Sequence, residues 1–358
     1  MTYYMKQGNT IRVTREDNVP LTKTLPVGTY VVKLDQMGYY LDRIDPFVMP
    51  PKLYGNTLDY SGRIFNTFQD RSGPTGVMLT GEKGSGKTLL AKHLSLTAAE
   101  HGYSTIVVND AFTDDGFHTL IQSIDQPAVI MFDEFEKVYD ETEDQQSVLT
   151  LLDGIFNSKK LFVLTCNDRW RVDVHMRNRP GRLYYMLDFD GLDTAFVREY
   201  CKDNLKNKDH IEKVCNVSLV FDRFNFDMLK AIVEEMNRYN ETPQQVLRMI
   251  NARPEFSNNT SFDVTLFHSK RQVAASNHTT VWDGNPLSVD GIELSVQVPN
   301  VNAKTDKDPK TFWDDVFFMP EDLVKIDPNA GTFTFTHKDN WTMVLTRQKP
   351  KSYQYIDL

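Results

Sequence analysis

Gly81-Glu82-Lys83-Gly84-Ser85-Gly86-Lys87-Thr88 has the residue types and spacing to hold a polyphosphate. The run fits G-x-x-x-x-G-K-[ST]. Gly81, Gly84 and Gly86 let the backbone wrap an anion and aim N–H groups at a β-phosphate. The Lys87 ammonium reaches the β- and γ-phosphates, and the Thr88 hydroxyl offers a ligand to Mg2+. Glu82, Lys83 and Ser85 fill the loop, and Leu89 continues into the helix that must follow. Downstream, four apolar residues and Phe132 lead into adjacent carboxylates, Asp133 and Glu134. Asp133 is expected to hold the metal, and Glu134 to polarise the water that attacks the γ-phosphate. Farther on, the apolar run Leu161–Cys166 ends at Asn167. A strand lying beside both motifs would bring that amide to the γ-phosphate. Glu136 and Lys137 read as surface or interface charges.

These groups need a rigid platform. The runs 77–80, 105–109, 128–132 and 161–166 are short and apolar, as strands buried on both faces must be. Helical segments follow the first three, so the pattern predicts an α/β fold with a parallel sheet covered by helices. Thr29 to Leu34 and Tyr39 to Ile44 read as two earlier strands around Gly38, followed by a proline-punctuated linker over 45–52. Residues 192–252 read as helical. Asp193 or Thr194 caps a helix through Leu205, Asn225 caps a second, and Thr242-Pro243 opens a last one towards Asn251. Beyond Arg253-Pro254, alternating patterns such as Gly331 to His337 predict β structure, with an exposed loop over 300–311. The expected domains are a small β-rich N-terminal domain with linker (1–50), an α/β nucleotide-binding domain (51–190), a helical lid (191–257) and a β-rich C-terminal domain (258–358).

Composition narrows the function. Net charge is -9 and hydrophobic content 40%. No global basic field draws the chain to DNA or anionic lipid, although a local basic pore is compatible with this charge. No apolar run reaches the roughly 18 residues of a membrane span, and the first 17 residues are polar, unlike a secretory signal. Cys166, Cys201 and Cys215 form no metal-ligand spacing and read as reduced thiols of a cytoplasmic protein.

The motifs GEKGSGKT, VIMFDEFEK, LTCND and RNRPGR (177–182) occur in the order and spacing of AAA ATPases, and the region from about Tyr54 to Asn251 resembles their large domain and helical lid. The resemblance implies ATP and Mg2+ as ligands. It implies that Asn167 is the residue sensing the γ-phosphate and that Arg179 and Arg182 enter a neighbouring subunit's site. It also implies that Tyr54-Gly55 touches the adenine. The RPGR element resembles the classical AAA clade, as does Gln244, which stands where many lids carry an arginine acting in cis. Arg248 reads as a surface residue. The segment between Asn109 and Asp133 is short, with Phe112 as its candidate pore-loop aromatic; a packing role fits Phe112 as well. The compact core resembles the mitochondrial AAA family that translocates a folded Rieske protein, and AAA ATPases of tailed bacteriophages, which would place it in host cytoplasm.

The function expected on these grounds is ATP hydrolysis by a homo-oligomeric ring, expected to be a hexamer, that remodels or translocates a protein client. The alternatives are a nucleic-acid motor or loader, needing basic pore residues such as Lys159, Lys160, Arg169 and Arg171, and a nucleotide-gated assembly scaffold.

Overall fold

A computed structural model describes residues 2–7, 10–15, 22–252 (save 155, 157, 178, 190 and 222), 260–268, 271–273, 281–299, 311–327, 329–338 and 340–348. Arg253-Pro254 and the loop expected over 300–311, apart from Thr311, lie outside the described residues. The chain divides into two compact units, Met1–Gly191 and Leu192–Leu358.

A hairpin of β1 (Thr2–Gln7) and β2 (Thr10–Arg15) opens the first unit. Its centre is a seven-stranded sheet of β3 (Thr29–Asp35), β4 (Gly38–Ile44), β5 (Thr75–Gly81), β6 (Ser104–Val108), β7 (Ala128–Phe132), β8 (Lys160–Cys166) and β9 (Leu183–Phe189). The spatial order is β4-β3-β6-β7-β8-β5-β9. Only β4 runs antiparallel, to β3. Alternate residues face opposite sides. Val77, Leu79, Val129, Met131, Leu161 and Val163 meet α1 (Thr57–Asp70) and α2 (Lys87–Glu100) through Ile64, Phe65, Phe68, Leu90 and Leu94. On the other face, Met78, Ile106, Ile130 and Phe162 join Phe117 and Ile121 of α3 (Asp115–Gln122) and Val148 and Leu152 of α5 (Thr142–Leu152); a one-turn helix, α4 (Phe135–Val138), precedes α5. Each fully buried Leu, Val or Phe contributes about 1.5–3 kcal/mol, so the sheet is a stiff mount for whatever its strand ends carry.

The boundary expected at residue 50 does not hold in the sheet. β3 pairs parallel with β6, Thr29 opposite Thr105, so 29–44 extends the core sheet rather than forming part of a separate N-terminal domain. Gln126 ties the approach to it, accepting the Leu25 N–H at 2.7 Å and donating to the Leu25 carbonyl at 3.2 Å. β9, unnamed in the sequence, is half-exposed beside β5, so its pattern lacks the continuous apolar run of an inner strand.

After the one-turn helix α6 (Val174–Arg177) and β9, the second unit begins with α7 (Thr194–Asn204), α8 (Ile211–Leu219), α9 (Phe226–Tyr239) and α10 (Pro243–Val246). Asp193 and Asn225 cap α7 and α9, accepting from Phe196 N at 2.7 Å and Met228 N at 2.9 Å. Thr242 and Gln245 form a capping box. α10 stops at Val246, short of the extent expected towards Asn251, because tighter bonds such as Arg248 N to the Gln245 carbonyl close the segment into turns. The C-terminal part is β-rich: one six-stranded antiparallel sheet, and a separate hairpin pairing Ile292–Pro299 with Thr311–Phe318. It shares a compact unit with the helices. Arg347 donates to the Phe221 carbonyl at 3.0 Å and Arg198 to Asn329 at 3.1 Å, so the expected divide at 257 does not separate them. Among the described residues, no helix is long and apolar enough to cross a membrane.

Lys160 is fully buried at the start of β8, where burial pushes its ammonium down to about 8. Its Nζ donates to the carbonyls of Ile124 at 2.9 Å and Gln126 at 3.0 Å. It is therefore a structural brace and not one of the pore-facing cations required by a nucleic-acid motor. Lys160→Met should orphan those carbonyls and cost about 1–3 kcal/mol, read as a lower denaturation midpoint; an unchanged midpoint would show that the brace is dispensable.

Candidate active site

The P-loop runs from the end of β5 into α2. Gly81 has φ 133° and Gly86 φ 105°, both in left-handed territory that favours glycine. A Cβ at Gly81 would stand 2.3 Å from the Phe189 carbonyl oxygen. Gly86 occupies the N-cap of α2 with no side-chain cap, so the first-turn N–H groups stay available to an anion. Lys87 is 6% exposed. Its Nζ donates to the carbonyls of Gly81 at 2.6 Å and Glu82 at 2.7 Å, and to Asn167 Oδ1 at 3.2 Å. Burial lowers its pKa, while the charge of Glu136 above all, with Asp133 and Glu134 adding, opposes that shift. Lys83 and Thr88 are exposed, while Glu82, Gly84, Ser85 and Leu89 are half-buried. The Ser85 Oγ is buried, with no hydrogen-bond partner among the described residues.

β8 lies between β5 and β7, so the three strand ends present their polar groups side by side. Thr165 is the hinge of this arrangement. Its Oγ1 donates to Asp133 Oδ1 at 2.6 Å and accepts from the Glu134 backbone N–H at 2.9 Å. Glu134 sits at φ 49° and ψ 47°, a left-handed conformation uncommon for any residue that carries a Cβ. Such a residue costs about 1–3 kcal/mol and persists where its surroundings enforce it. Its carboxylate pairs with Lys137 at 2.7 Å, and this contact leads the effects that hold its pKa below the ordinary glutamate value. Both partners are over two-fifths exposed, so the pair itself stabilises little.

Glu136 overturns its expected place at the surface. It is 2% exposed, and its Oε1 accepts from the Asn167 backbone N–H at 3.0 Å and from Asn167 Nδ2 at 2.8 Å. The cause is local: α4 is a single turn pressed onto the sheet by Phe135 and Tyr139, which carries Glu136 inward with them. Cys166, also buried beside it, has its thiol pushed up to about 12, chiefly by burial and then by the Glu136 charge.

The two arginines of the RPGR turn are placed differently. Arg182 forks onto Asp153 at the end of α5, with Nε at 2.7 and 2.8 Å from the two carboxylate oxygens and Nη2 adding a further contact. Arg179 is exposed and makes no hydrogen bond or ion pair through its guanidinium among the described residues. Nearby, Arg169 and Arg177 both lie over the exposed Trp170 ring, at 4.8 and 4.9 Å. Phe112 packs edge-on against Tyr39 at 5.1 Å and beside Phe117 at 5.6 Å, which is the packing role. Tyr54 and Gly55 precede Asn56, the N-cap of α1; Lys52 lies over the Tyr54 ring, and Gly55 is exposed with φ 66°.

The chemistry of the donors fits a magnesium nucleotide. A hydroxyl at Thr88 and a carboxylate at Asp133 are hard oxygen ligands of the kind that share Mg2+ with substrate phosphates. The partnerless Ser85 hydroxyl and uncapped α2 terminus supply neutral donors beside Lys87. Among the described residues, no cluster of three or more His, Cys, Asp or Glu forms a separate metal cage. Thr165 and Asp153 were not named from the sequence, and Glu136 was read there as a surface or interface charge. Thr165 had a signal: it is polar, two positions before Asn167, within the apolar run Leu161–Cys166.

Comparison with known proteins gives one family match, and it spans the P-loop and the Asp133-Glu134 pair. A model of the family described as Novel STAND NTPase 3 matches residues 75–177, well under half of the chain. Among solved structures, the chain is similar to AMPPCP-bound DnaA from Aquifex aeolicus, at 14% identity over 57% of this chain and 66% of that one, TM-score 0.40. It is similar to the replication initiator DnaA bound to AMPPCP and single-stranded DNA, at 16% identity over 55% and 64%, TM-score 0.39. It is also similar to the ORC2 protein of Aeropyrum pernix in ADPNP–ADP complexes, at 16% over 60% and 72%, TM-score 0.40. The chain thus spans just under two thirds of the two DnaA chains. A search of curated proteins finds no match.

Thr165→Val keeps the side chain's shape and deletes the hydroxyl that orients Asp133. Magnesium-dependent nucleotide affinity should fall about tenfold, near 1.4 kcal/mol, with little change when Mg2+ is withheld. Equal affinities with Mg2+ for both proteins would show that Asp133 needs no such support.

Proposed function

We propose that this chain is a magnesium-dependent ATPase of the AAA+ type, active as a homo-oligomeric ring and remodelling or translocating a protein client in the cytoplasm. The observation that carries the proposal is the convergence on three neighbouring strand ends. Lys87 lies 3.2 Å from Asn167, while Thr165 ties Asp133 and the Glu134 backbone to the same strand. In this reading, loop N–H groups and Lys87 hold the β- and γ-phosphates, while Tyr54-Gly55 borders the adenine. Thr88 and Asp133 hold magnesium, which when bound would spread charge from the phosphate oxygens. Glu134 orients water for in-line attack on the γ-phosphorus and takes up its proton. Asn167 hydrogen-bonds the water or the γ-phosphate. Arg179 acts on the neighbouring subunit's nucleotide, whereas Arg182 braces the turn through Asp153.

A protein client is favoured over nucleic acid by the fate of the basic residues. Of the four expected to line a pore, Lys160 is buried, Lys159 is bonded to the Gln69 carbonyl and Arg169 pairs with Asp188 at 3.0 Å, while Arg171 is exposed. The loop leaving β6 is acidic, with exposed Asp110, Asp114 and Asp115. Such a surface repels a phosphate backbone. A hexamer, and kinship with the Rieske-protein translocases and tailed-phage ATPases, rest on the sequence motifs alone.

Glu134→Gln should bind ATP with wild-type affinity yet hydrolyse it about 100-fold or more slowly, the scale expected when a general base is lost. Lys87→Ala should lose binding itself. Steady-state hydrolysis by Glu134→Gln at the wild-type rate would remove Glu134 from the chemistry.

The shared site has its own test. Arg179→Ala should lower kcat by about 10³-fold or more, as loss of an arginine finger does, without weakening ATP binding. Mixed with Lys87→Ala, which retains Arg179, it should regain activity at interfaces that join a sound P-loop to a sound arginine. Label mixing confirms that subunits exchange; exchange without recovery would exclude action in trans.

A further inference from the structure

Glu136 is a carboxylate removed from water, with no cation bonded to it among the described residues. Its Oε1 takes both the backbone N–H and the side-chain Nδ2 of Asn167, the Cys166 thiol lies against the carboxylate, and Oε2 is buried with no partner in hydrogen-bond geometry among the described residues. Burying such a group costs free energy that a neutral residue would spare. Its position shows what it accomplishes. The Asn167 amide has two orientations related by a half-turn, exchanging oxygen and nitrogen. A carboxylate only accepts and an ammonium only donates. With Glu136 on one side and the Lys87 Nζ on the other, only one orientation satisfies both: Nδ2 towards Glu136, Oδ1 towards Lys87. The flipped amide would set oxygen against carboxylate and N–H against ammonium. The backbone bond to the same Oε1 also fixes the height of Asn167 above the end of β8. Nδ2 carries two hydrogens; one is committed to Glu136, which leaves the second for the Glu134 carboxylate that the Asn167 side chain also contacts.

We propose that Glu136 is a positioning residue for the hydrolysis inferred above, acting through Asn167. By fixing both the backbone and the amide orientation, it holds the second N–H of Asn167 beside the Glu134 carboxylate, where the attacking water and the reacting phosphate would lie. This rests on the ATPase reading of the same site. A merely structural carboxylate, bracing α4 against β8, would influence folding and nucleotide binding but would not share an effect with Asn167.

The test is a double-mutant cycle on the full chain, reading kcat, ATP affinity and thermal midpoint. Glu136→Met keeps the length and removes the acceptor. It should lower kcat by about 10- to 100-fold, the scale of an ångström-sized misplacement at a reacting centre, while ATP affinity stays within about threefold, since the P-loop contacts remain. Glu136→Gln retains an acceptor oxygen and should restore most of kcat. Asn167→Ala should show a loss like that of Glu136→Met, and the double variant should be no slower than Asn167→Ala alone. Losses that multiply would overturn the proposal, as would a Glu136→Gln variant no better than Glu136→Met. If Glu136→Met does not fold, Glu136→Asp, one methylene too short for both bonds, takes its place in the cycle with the same expected and overturning results. Full activity of Asn167→Ala would defeat the sensing role and this proposal together. A slow Asn167→Ala beside a fully active Glu136→Met would defeat this proposal alone.

Discussion

The ammonium of Lys87 is almost wholly out of water, and the candidate site is arranged around that charge. An isolated buried ammonium would lose its proton or unfold its surroundings. Here three acceptors take its three hydrogens, two from the P-loop backbone and one from Asn167. Three carboxylates, Glu136 foremost, oppose the effect of burial without touching it. The arrangement keeps a cation poised where a polyphosphate would lie. A phosphate entering the loop would offer it stronger, charge-assisted partners, so the contacts seen here are the ones a nucleotide would replace.

That arrangement depends on strand order. With β8 interposed between β5 and β7, the P-loop and the Asp133-Glu134 pair do not adjoin directly; Thr165 and Asn167 stand between them. Parallel pairing fixes the heights of all three strand ends. Thr80 lies opposite Cys166 and Phe132 opposite Leu164, so the polar residues of all three strands emerge at one edge of the sheet. The packed layers on both faces make this register costly to change, because a one-residue slip would exchange core and opposite-face residues. Within that frame the left-handed backbone of Glu134 is held, its N–H satisfied by a residue of the neighbouring strand rather than by its own segment.

Several features were legible in the sequence because a local signal encoded them. The bounded apolar runs announce inner parallel strands, and Asp193, Asn225 and Thr242 sit at helix starts where their side chains satisfy N–H groups. The P-loop glycines fall where φ is positive. Glu136 was hidden for the opposite reason. Nothing in Phe-Glu-Lys-Val distinguishes a solvated helical turn from one pressed onto a sheet; only the packing of Phe135 and Tyr139 decides which way its carboxylate faces. Residues 29–44 announce themselves as strands, but pairing with β6, some seventy residues later, is a tertiary choice that local pattern does not carry. Lys160 misleads more directly, since a lysine at a strand start ordinarily reads as solvated. Its ammonium takes up the carbonyls of Ile124 and Gln126 in the connection between α3 and β7.

The RPGR turn shows how two identical residue types acquire different work from their surroundings. Arg182 presents a planar fork to Asp153 and is only 15% exposed along its side chain. A bidentate pair of this kind specifies geometry as well as adding energy, and the Asp153 carboxyl is drawn below its ordinary range by that contact. The pair joins the end of α5 to the turn that leads into β9. The Arg182 and Leu183 N–H groups then donate to the Arg179 carbonyl at 2.8 and 3.0 Å, closing the turn beneath Arg179. The backbone of Arg179 is thereby held while its guanidinium stays in solvent. Under the proposed action on a neighbouring subunit's nucleotide, Arg179 would benefit from this division: its anchor is ordered in advance, which would reduce the entropy lost on contact, and its charge is not already consumed. Releasing Arg182 to act beside it would instead break a preorganised fork and leave Asp153 without its partner.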